Sequence, residues 1–365
     1  MSVHGGDIWH LDGWTPDQIL DFSSNINPLG VPPSVQALLA RPELAMRYPD
    51  VEYRDLRAGL AAWVGLSPDH VAVGNGASEL IRELLIVLQP RRVMVPSPGF
   101  AEYARAARSL GIEVVLHRLD PAAGFRLDPE VFAADLRALK PDLVFLCNPN
   151  NPTAAQADLA TMKGLFDQCE AVGAWLVVDE TFIELSRLGT AASLVPLVKP
   201  AAPLIVLRAL TKVFALPGLR LGYLACEPPT AERIRASLVP WSVNGFAAQA
   251  GGVFEAEKDY LERTALWISE EPDWLYGHLA GIGTPDLDRV WKPDTNFILC
   301  RLRPPSTAAG LKEALLTRGI LIRDCGNFPG LDPGYFRVAV RDRRSNERLV
   351  QEIRTLLICG HSWGT

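Results

Sequence analysis

The sequence predicts an α/β protein: a large domain built on a mostly parallel, seven-stranded sheet, followed by a smaller α+β domain. Short apolar runs alternate with stretches of helical periodicity through the middle of the chain, a pattern typical of βαβ units. This alternation ends at about residue 250, and beyond it the predicted strands and helices no longer alternate regularly. The length of 365 residues also suits about two domains.

Seven apolar runs are the candidate strands of the large sheet. They are VAVG (71–74), RVMVP (92–96), IEVVLHRL (112–119), DLVFLC (142–147), WLVVDE (175–180), LIVLRA (204–209) and LGYLAC (221–226). Helical segments such as SELIRELLIVLQ separate most of them. The last two runs are joined by only a short link, which allows one of these strands to be antiparallel.

The expected domain organisation has three parts. Residues 1–35 are rich in proline and are predicted to pack against the small domain, residues 36–250 form the large domain, and residues 251–365 form the small one. A long helical stretch over 247–279 is expected to lead into the small domain, whose predicted strands are TNFILCRL and YFRVAVR.

Composition excludes several classes of function. The chain is 48% hydrophobic and 21% charged, as is ordinary for a globular protein, and its net charge of −6 shows no basic stripe for nucleic acid or membrane surfaces. No basic segment followed by an apolar run begins the chain, and no apolar stretch reaches the roughly 18 residues of a membrane span. The six cysteines are scattered, so we expect no metal site, no disulfide framework and a cytoplasmic setting.

Polar motifs follow the predicted strands at their carboxyl ends, where open α/β sheets bind ligands. They are GNGASE (74–79), PSPGFAEY (96–103), NPNNPT (148–153), Asp179, and the pair Thr211 and Lys212. Taken alone, Lys212 could equally be a lysine whose amine reaches the surface. The convergence of these motifs on one edge of one sheet favours a ligand site instead.

Together these motifs resemble the fold-type I enzymes that depend on pyridoxal 5'-phosphate (PLP), the aspartate aminotransferase superfamily. The resemblance covers nearly the whole chain. It implies that Lys212 forms a Schiff base with the PLP aldehyde, which requires a neutral amine. It also implies that Asp179 pairs with the protonated pyridine nitrogen and that Asn151 donates to the ring oxygen.

The resemblance also assigns residues to the rest of the cofactor. A loop that cradles the phosphate is formed by Gly76, Ala77 and Ser78, with backbone N–H groups at a helix start. Arg220 would neutralise the phosphate. Many relatives have a further hydroxyl three residues before the lysine, where this chain has Ala209, and Thr211 is the residue that could compensate.

Three aromatic residues complete the expected cofactor site. Phe100 is predicted to stack on the pyridine ring, and Tyr103 to support Asp179. Tyr48, in RYPD, matches a tyrosine that reaches the PLP phosphate of a neighbouring subunit, which implies a homodimer with shared active sites. NPNNPT departs from the family pattern in one respect, because the usual glycine is replaced by Ala154.

Substrate recognition is predicted to rest on basic and polar groups. Arg337, in the strand YFRVAVR, matches the arginine that binds the substrate carboxylate, and its planar fork suits a bidentate contact. Arg323 and His4 are candidates for the substrate phosphate, and Asn27, in DFSSNINPLGVP, is a further candidate substrate ligand.

Four segments resemble one branch of the superfamily, the threonine-phosphate decarboxylases of cobalamin biosynthesis. They are HGGDIW (4–9), DFSSNINPLGVP (21–32), VPWSVN (239–244) and LIRDCGNFPGLD (321–332). Phe182 agrees with this branch, whereas histidinol-phosphate aminotransferases generally keep tyrosine there. Thr181 and Glu184, in DETFIE, depart from the usual form of the branch.

Three functions follow from these resemblances. The expected reaction is PLP-dependent decarboxylation of L-threonine O-3-phosphate, and the alternative is an aminotransferase of the histidinol-phosphate type. A third possibility, the ligand-binding domain of a regulator, is disfavoured because no N-terminal segment is long enough for a DNA-binding domain.

Overall fold

The computed structural model describes residues 5–9 and 11–358. The strands are β1 (Leu20–Asp21), β2 (Val71–Gly74), β3 (Arg92–Ser97), β4 (Glu113–Arg118), β5 (Leu143–Cys147), β6 (Trp175–Asp179), β7 (Leu204–Ala209), β8 (Gly222–Ala225), β9 (Leu287–Val290), β10 (Phe297–Leu302), β11 (Ile320–Leu321), β12 (Arg323–Asp324) and β13 (Tyr335–Ala339). The helices are α1 (Pro33–Leu39), α2 (Arg54–Val64), α3 (Ala77–Leu88), α4 (Ala101–Ser109), α5 (Pro129–Leu139), α6 (Leu159–Ala171), α7 (Leu210–Val213), α8 (Pro228–Ser237), α9 (Gly245–Ala248), α10 (Gly251–Glu255), α11 (Lys258–Ala280), α12 (Ala308–Leu316) and α13 (Arg343–Ile358).

The large sheet contains the seven predicted strands in the order β2-β8-β7-β6-β5-β3-β4. Strand β8 is antiparallel to both β2 and β7, and the remaining pairs are parallel. Strands β5 and β7 are buried along their whole length, because helices cover both faces of the sheet. The prediction of a mostly parallel, seven-stranded α/β sheet is therefore confirmed.

A second, four-stranded antiparallel sheet has the order β12-β13-β10-β9. The N-terminal segment joins this part of the chain, because β1 pairs in parallel with β11, with Leu20 opposite Ile320. The two sheets lie on either side of residue 250 in the sequence. The exact domain boundaries at residues 35 and 250 stay predictions.

The helical stretch expected over 247–279 is divided into three helices, α9, α10 and α11. Glycines explain part of the division, because Gly251 approaches helix α2 so closely that a Cβ there would lie 2.7 Å from Cα of Leu56. The chain therefore bends where the two backbones touch, and α11 carries the regular helix onward. Within the described residues, no helix has the length and apolar character that a bilayer crossing requires.

Candidate active site

A cavity of about 770 Å³ opens at the carboxyl ends of strands β5, β6 and β7. Its other walls are the first turn of α3, the face of β12 and β13, and two N-terminal segments that include residues 5–9 and 21–26. This is the edge of a doubly covered sheet at which ligands bind. The cavity thus brings both sheets and the N-terminal segment to one place.

Lys212 lies on the cavity wall in α7, which begins directly after β7. The strand is apolar and buried, so the chain delivers a half-buried lysine rather than a surface one. The pKa of the Lys212 amine is lowered to about 8. Burial is the largest cause, and the positive charges of Arg337 and Arg220 also contribute. The amine is therefore neutral in a useful fraction near pH 8, as a nucleophilic lysine requires.

Asp179 ends strand β6 and is buried, with both carboxylate oxygens held by neighbours. The Tyr103 hydroxyl donates to Oδ2 at 2.7 Å, while the backbone N–H and hydroxyl of Thr181 donate to Oδ1 at 3.0 and 2.5 Å. Burial raises the pKa of Asp179, and these hydrogen bonds oppose that rise. The result is an oriented buried carboxylate that gains from meeting a cationic N–H group.

A cradle forms where β2 turns into α3. Gly76 precedes the helix with a φ of 80°, no side chain caps this helix start, and a Cβ on Gly76 would collide with the guanidinium of Arg220. A Cβ on Gly222 would lie 2.8 Å from the backbone nitrogen of Ala77. Glycine thus lets an arginine and helix N–H groups approach one point, where Ala77 and Ser78 line the cavity, and this geometry suits a phosphate.

Two residues beside Lys212 line the same cavity. Ala209 ends strand β7, where many relatives carry a hydroxyl, and Thr211 directly precedes the lysine. Both are buried to about 95% of their surface, with 5% exposed. Thr211 therefore places a hydroxyl next to the lysine in the sequence, whereas Ala209 supplies none.

The opposite walls of the cavity carry an aromatic ring, an amide and a thiol. Phe100 begins helix α4 and meets Tyr103 edge-on, with ring centroids 5.5 Å apart. Asn151 accepts a hydrogen bond from Arg337 through its side-chain oxygen. Cys147, at the end of β5, donates to the carbonyl of Pro149 at 3.0 Å, and burial raises the pKa of its thiol strongly, with the charge of Asp179 adding to the rise.

Three arginines line the cavity from the small sheet and the residues that follow it. Arg323 lies opposite Arg337 in the β12–β13 register, and Arg341 lies two residues beyond the end of β13. Arg337 donates to the carbonyl of Ser23 at 2.8 Å and Arg341 to that of Asp21 at 2.8 Å. Within the described part of the chain, the Nε atoms of Arg337 and Arg341 have no acceptor.

Two of the predicted residues, Asn27 and Tyr48, do not line the cavity of this chain. Asn27 does not line the cavity, because its buried amide donates to the carbonyl of Val213 and to the Thr264 hydroxyl, each at 2.9 Å. Its prediction as a substrate ligand is therefore corrected to a role in fixing the lysine helix. Tyr48 is 81% exposed and packs on Trp241 outside the cavity of its own chain, and His4 lies outside the described residues.

Thr181 and Arg341 are among the cavity residues that were not predicted as site residues. Thr181 binds Asp179, and its position two residues after that carboxylate is the spacing of a local side-chain turn. Arg341 shares the strand parity of Arg337, so the alternating pattern of YFRVAVR contained the signal that placed it on the same face.

Comparison with known proteins agrees with this geometry. The sequence matches the family model "Aminotransferase class I and II" over residues 17–353. It is 40% identical to "Threonine-phosphate decarboxylase" of Salmonella typhimurium, over 98% of this chain and 97% of the relative. It is also 31% identical, over 96% of this chain but 40% of the relative, to "Adenosylcobalamin biosynthesis bifunctional protein CobDQ" of Leptospira interrogans. A solved structure, the histidinol-phosphate aminotransferase from Clostridium acetobutylicum, matches with a TM-score of 0.85 and 32% identity over 93% of this chain and 99% of that one.

The fold and the lysine-centred cavity define an enzyme of the fold-type I, PLP-dependent class. The chain belongs to the class I and II aminotransferase family, and its cofactor is PLP. The residues present fit that group, because the cradle at Gly76 suits the phosphate and Asp179 suits a pyridinium nitrogen. Lys212 presents an amine on the same cavity wall, which suits the PLP aldehyde.

Proposed function

We propose that this enzyme decarboxylates L-threonine O-3-phosphate to (R)-1-aminopropan-2-yl phosphate in cobalamin biosynthesis. The carboxylate leaves as CO2 and a proton takes its place on the same carbon, so atoms and charge balance. The similarity to a threonine-phosphate decarboxylase over nearly the whole chain supports this reaction. So does the similarity to a protein named for adenosylcobalamin biosynthesis.

The charge of the cavity carries the proposal. Among the described residues of its wall, two carboxylates face five cations, which are Lys212, Arg220, Arg323, Arg337 and Arg341. The phosphate of PLP would bind in the cradle at Arg220. The other three arginines lie elsewhere on the cavity wall. A substrate with both a carboxylate and a phosphate suits this excess, because guanidinium groups bind each of these anions bidentately.

The roles of the chain's own residues follow from their positions. PLP, when bound, serves as the electron sink that makes loss of the carboxylate possible. Arg337, already hydrogen-bonded to Asn151, is the proposed ligand of the substrate carboxylate. Lys212, with a pKa of about 8, can hold a proton and return it to the substrate carbon. The arginines and the N-terminal segment orient the substrate, and orientation decides which bond breaks.

Phe182 favours decarboxylation over transamination. Its ring is buried on the cavity wall and meets Phe297 edge-on at 5.1 Å, so no hydroxyl is present where the aminotransferase branch generally has one. The likeness to a histidinol-phosphate aminotransferase supports the second candidate, transamination of a phosphate-bearing amine.

We also propose a cytoplasmic homodimer. Tyr48 and Trp241 lie exposed and stacked with ring centroids 4.7 Å apart, and an exposed aromatic pair of this kind suits an interface with a second subunit. The five described cysteines are free and buried, which suits a reducing compartment. Sedimentation of the wild-type and Tyr48→Ala proteins measures how much Tyr48 contributes to the association of two subunits.

The test supplies purified enzyme, loaded with PLP, with each candidate substrate. Threonine phosphate should release one CO2 per aminopropanol phosphate formed, with no requirement for 2-oxoglutarate. Histidinol phosphate with 2-oxoglutarate should yield little glutamate. Glutamate formation without CO2 release would overturn the decarboxylase proposal in favour of the second candidate.

A further inference from the structure

We propose that Arg208 is a positioning residue for the PLP site, joining the strand end that carries Asp179 to the strand end that leads to Lys212. This inference rests on the PLP site proposed above and assigns a role to the buried ion cluster behind it. The cluster consists of Arg208, Glu180 and Glu184. It lies on the face of the large sheet opposite the cavity.

The two strand ends run side by side in parallel. Asp179 of β6 lies opposite Leu207 of β7, and the N–H of Glu180 donates to the carbonyl of Leu207 at 2.8 Å. Side chains alternate along a strand, so Asp179 and Ala209 face the cavity while Arg208 points to the other face. Each residue of the cluster is one or two positions along the chain from a residue that lines the cavity.

Arg208 is bound on every nitrogen. Its Nε and Nη2 donate to Oε2 of Glu180 at 3.1 and 2.8 Å, and its Nη1 donates to Oε1 of Glu184 at 2.9 Å. Nη2 also donates to the hydroxyl of Ser193 at 2.8 Å. The three charged side chains are only 4%, 1% and 8% exposed, so this fork is rigid and shielded from water.

Glu180 is held equally firmly from its other side. Its Oε1 accepts from the backbone N–H of Leu194 at 2.7 Å, and its Oε2 accepts from the Ser193 hydroxyl at 2.8 Å. Because Glu180 directly follows Asp179, fixing its side chain fixes the backbone that aims the Asp179 carboxylate. Arg208 does the same for β7, four residues before Lys212.

Burying three charges stabilises a fold little, because the desolvation cost offsets the attraction between them. The cluster contains two carboxylates for one guanidinium, and burial raises the pKa of Glu184 while the charge of Arg208 opposes that rise. Such a cluster is better explained by the geometry it imposes. A cofactor held at one end by Asp179 and at the other by Lys212 depends on the separation of these two strand ends, and an error of about 1 Å can cost on the order of 100-fold in rate.

The test compares two variants of the cluster with a matched control. Arg208→Lys keeps the charge but loses the fork, and Glu184→Gln keeps the shape but loses a charged partner. The control is Glu271→Gln in helix α11, which does not line the cavity. The Glu271 side chain is 11% exposed and pairs with Arg343 at 2.7 Å. Each variant is measured as holoenzyme for thermal midpoint, PLP dissociation constant, visible circular dichroism of bound PLP, kcat and KM.

We expect both cluster variants to change the visible circular dichroism, to weaken PLP binding about tenfold and to lower kcat on the order of 100-fold with little change in KM. The control should lower the thermal midpoint and leave the cofactor signals unchanged. If the cluster variants behave like the control, the positioning role is overturned. If Arg208→Lys does not fold, Glu184→Gln decides the question by the same readouts. Failure of the wild-type protein to take up PLP would instead overturn the proposed function.

Discussion

The phenol of Tyr103 donates a 2.7 Å hydrogen bond to Asp179, and both side chains are buried beneath the candidate PLP site. The Tyr103 ring also stacks on Phe145, with centroids 4.7 Å apart and planes within 6°. Packing against Phe145 thus fixes the Tyr103 ring, and the hydrogen bond from its hydroxyl fixes the Asp179 carboxylate. Burial raises the pKa of Asp179, and the hydrogen bonds from Thr181 and Tyr103 oppose that rise.

Tyr103→Phe should weaken PLP binding by roughly tenfold to a hundredfold. The substitution removes one hydrogen bond to a carboxylate, and such bonds contribute about 1.5–3 kcal/mol. The stacked ring remains, but the lost hydrogen bond to a buried carboxylate should also lower the thermal midpoint of the apoprotein. Titration of apoprotein with PLP, followed by absorbance, gives the dissociation constant. Thr181→Ser, which keeps both donors to Asp179, is the control, and wild-type affinity in Tyr103→Phe would contradict this account.

The rate of PLP uptake should follow the ionisation of Lys212. Only the neutral amine reacts, and its pKa of about 8 lies below the ordinary 10.5 because of burial and neighbouring positive charge. Uptake by apoprotein should therefore rise about tenfold per pH unit below pH 8 and level off above it. Stopped-flow absorbance measures the rate. A midpoint near pH 10 would contradict the assignment.

Arg337→Gln should move the midpoint of PLP uptake to higher pH. Arg337 is the first charged group, after burial itself, that lowers the pKa of Lys212, so removing its charge favours the protonated amine. Glu271→Gln, whose charge lies outside the cavity wall, should leave the midpoint unchanged. The same pH series of uptake rates decides this, and an unchanged midpoint in Arg337→Gln would show that the charge of Arg337 does not contribute to the shift.

Gly76→Ala should lower PLP affinity at least tenfold. A Cβ there collides with the Arg220 guanidinium, and the φ of 80° is unfavourable for any residue with a side chain. Gly124→Ala is the matched control, because Gly124 has a φ of 70° but no atom within 4 Å of its added Cβ. Both glycines have a positive φ, and the thermal midpoint of each variant reports its backbone cost, so that the PLP dissociation constants can be compared between a change at the cradle and one away from it. Equal affinities would contradict a phosphate site at Gly76.

Arg337→Lys should raise KM for threonine phosphate by about tenfold to a hundredfold. A lysine keeps the charge but cannot bind Asn151, Ser23 and a carboxylate in one plane, and a charged hydrogen bond contributes about 1.5–3 kcal/mol. PLP absorbance should be unaffected, because Asp179 and the cradle are intact. Steady-state kinetics measures the change, and a loss confined to PLP binding would contradict the assignment.

The sequence predicted the large sheet well because its strands are buried, continuous apolar runs between amphipathic helices. It predicted the motifs at the strand ends for the same reason, since parallel strands bring their carboxyl ends together. Contacts between segments that lie far apart in the sequence were harder to predict. The side chain of Asn27 reaches Val213, which lies 186 residues away, and local pattern does not encode such a contact. Thr181 was accessible from its spacing to Asp179, and Arg341 from its strand parity.

Ala154 shows what a departure from family pattern means physically. The family usually has glycine at this position, and Ala154 has a φ of 62°, in the left-handed region where a Cβ is unfavourable. Its methyl group is fully buried in the core, and its N–H donates to the carbonyl of Asn150 at 2.8 Å. Burial of the methyl group and this hydrogen bond offset the strain, so the turn that carries Asn151 forms without glycine.

Cys147 and Lys212 stand in one cavity with pKa values shifted in opposite directions. Burial and the charge of Asp179 raise the pKa of the thiol, whereas burial and nearby arginines lower the pKa of the amine to about 8. A free thiol is ordinarily the stronger competitor for an aldehyde or an alkylating reagent. In this cavity, burial makes the sulfur less nucleophilic and the nitrogen more nucleophilic. The cavity thereby achieves chemoselectivity between two nucleophiles through proton affinity, without having to exclude either one from the site.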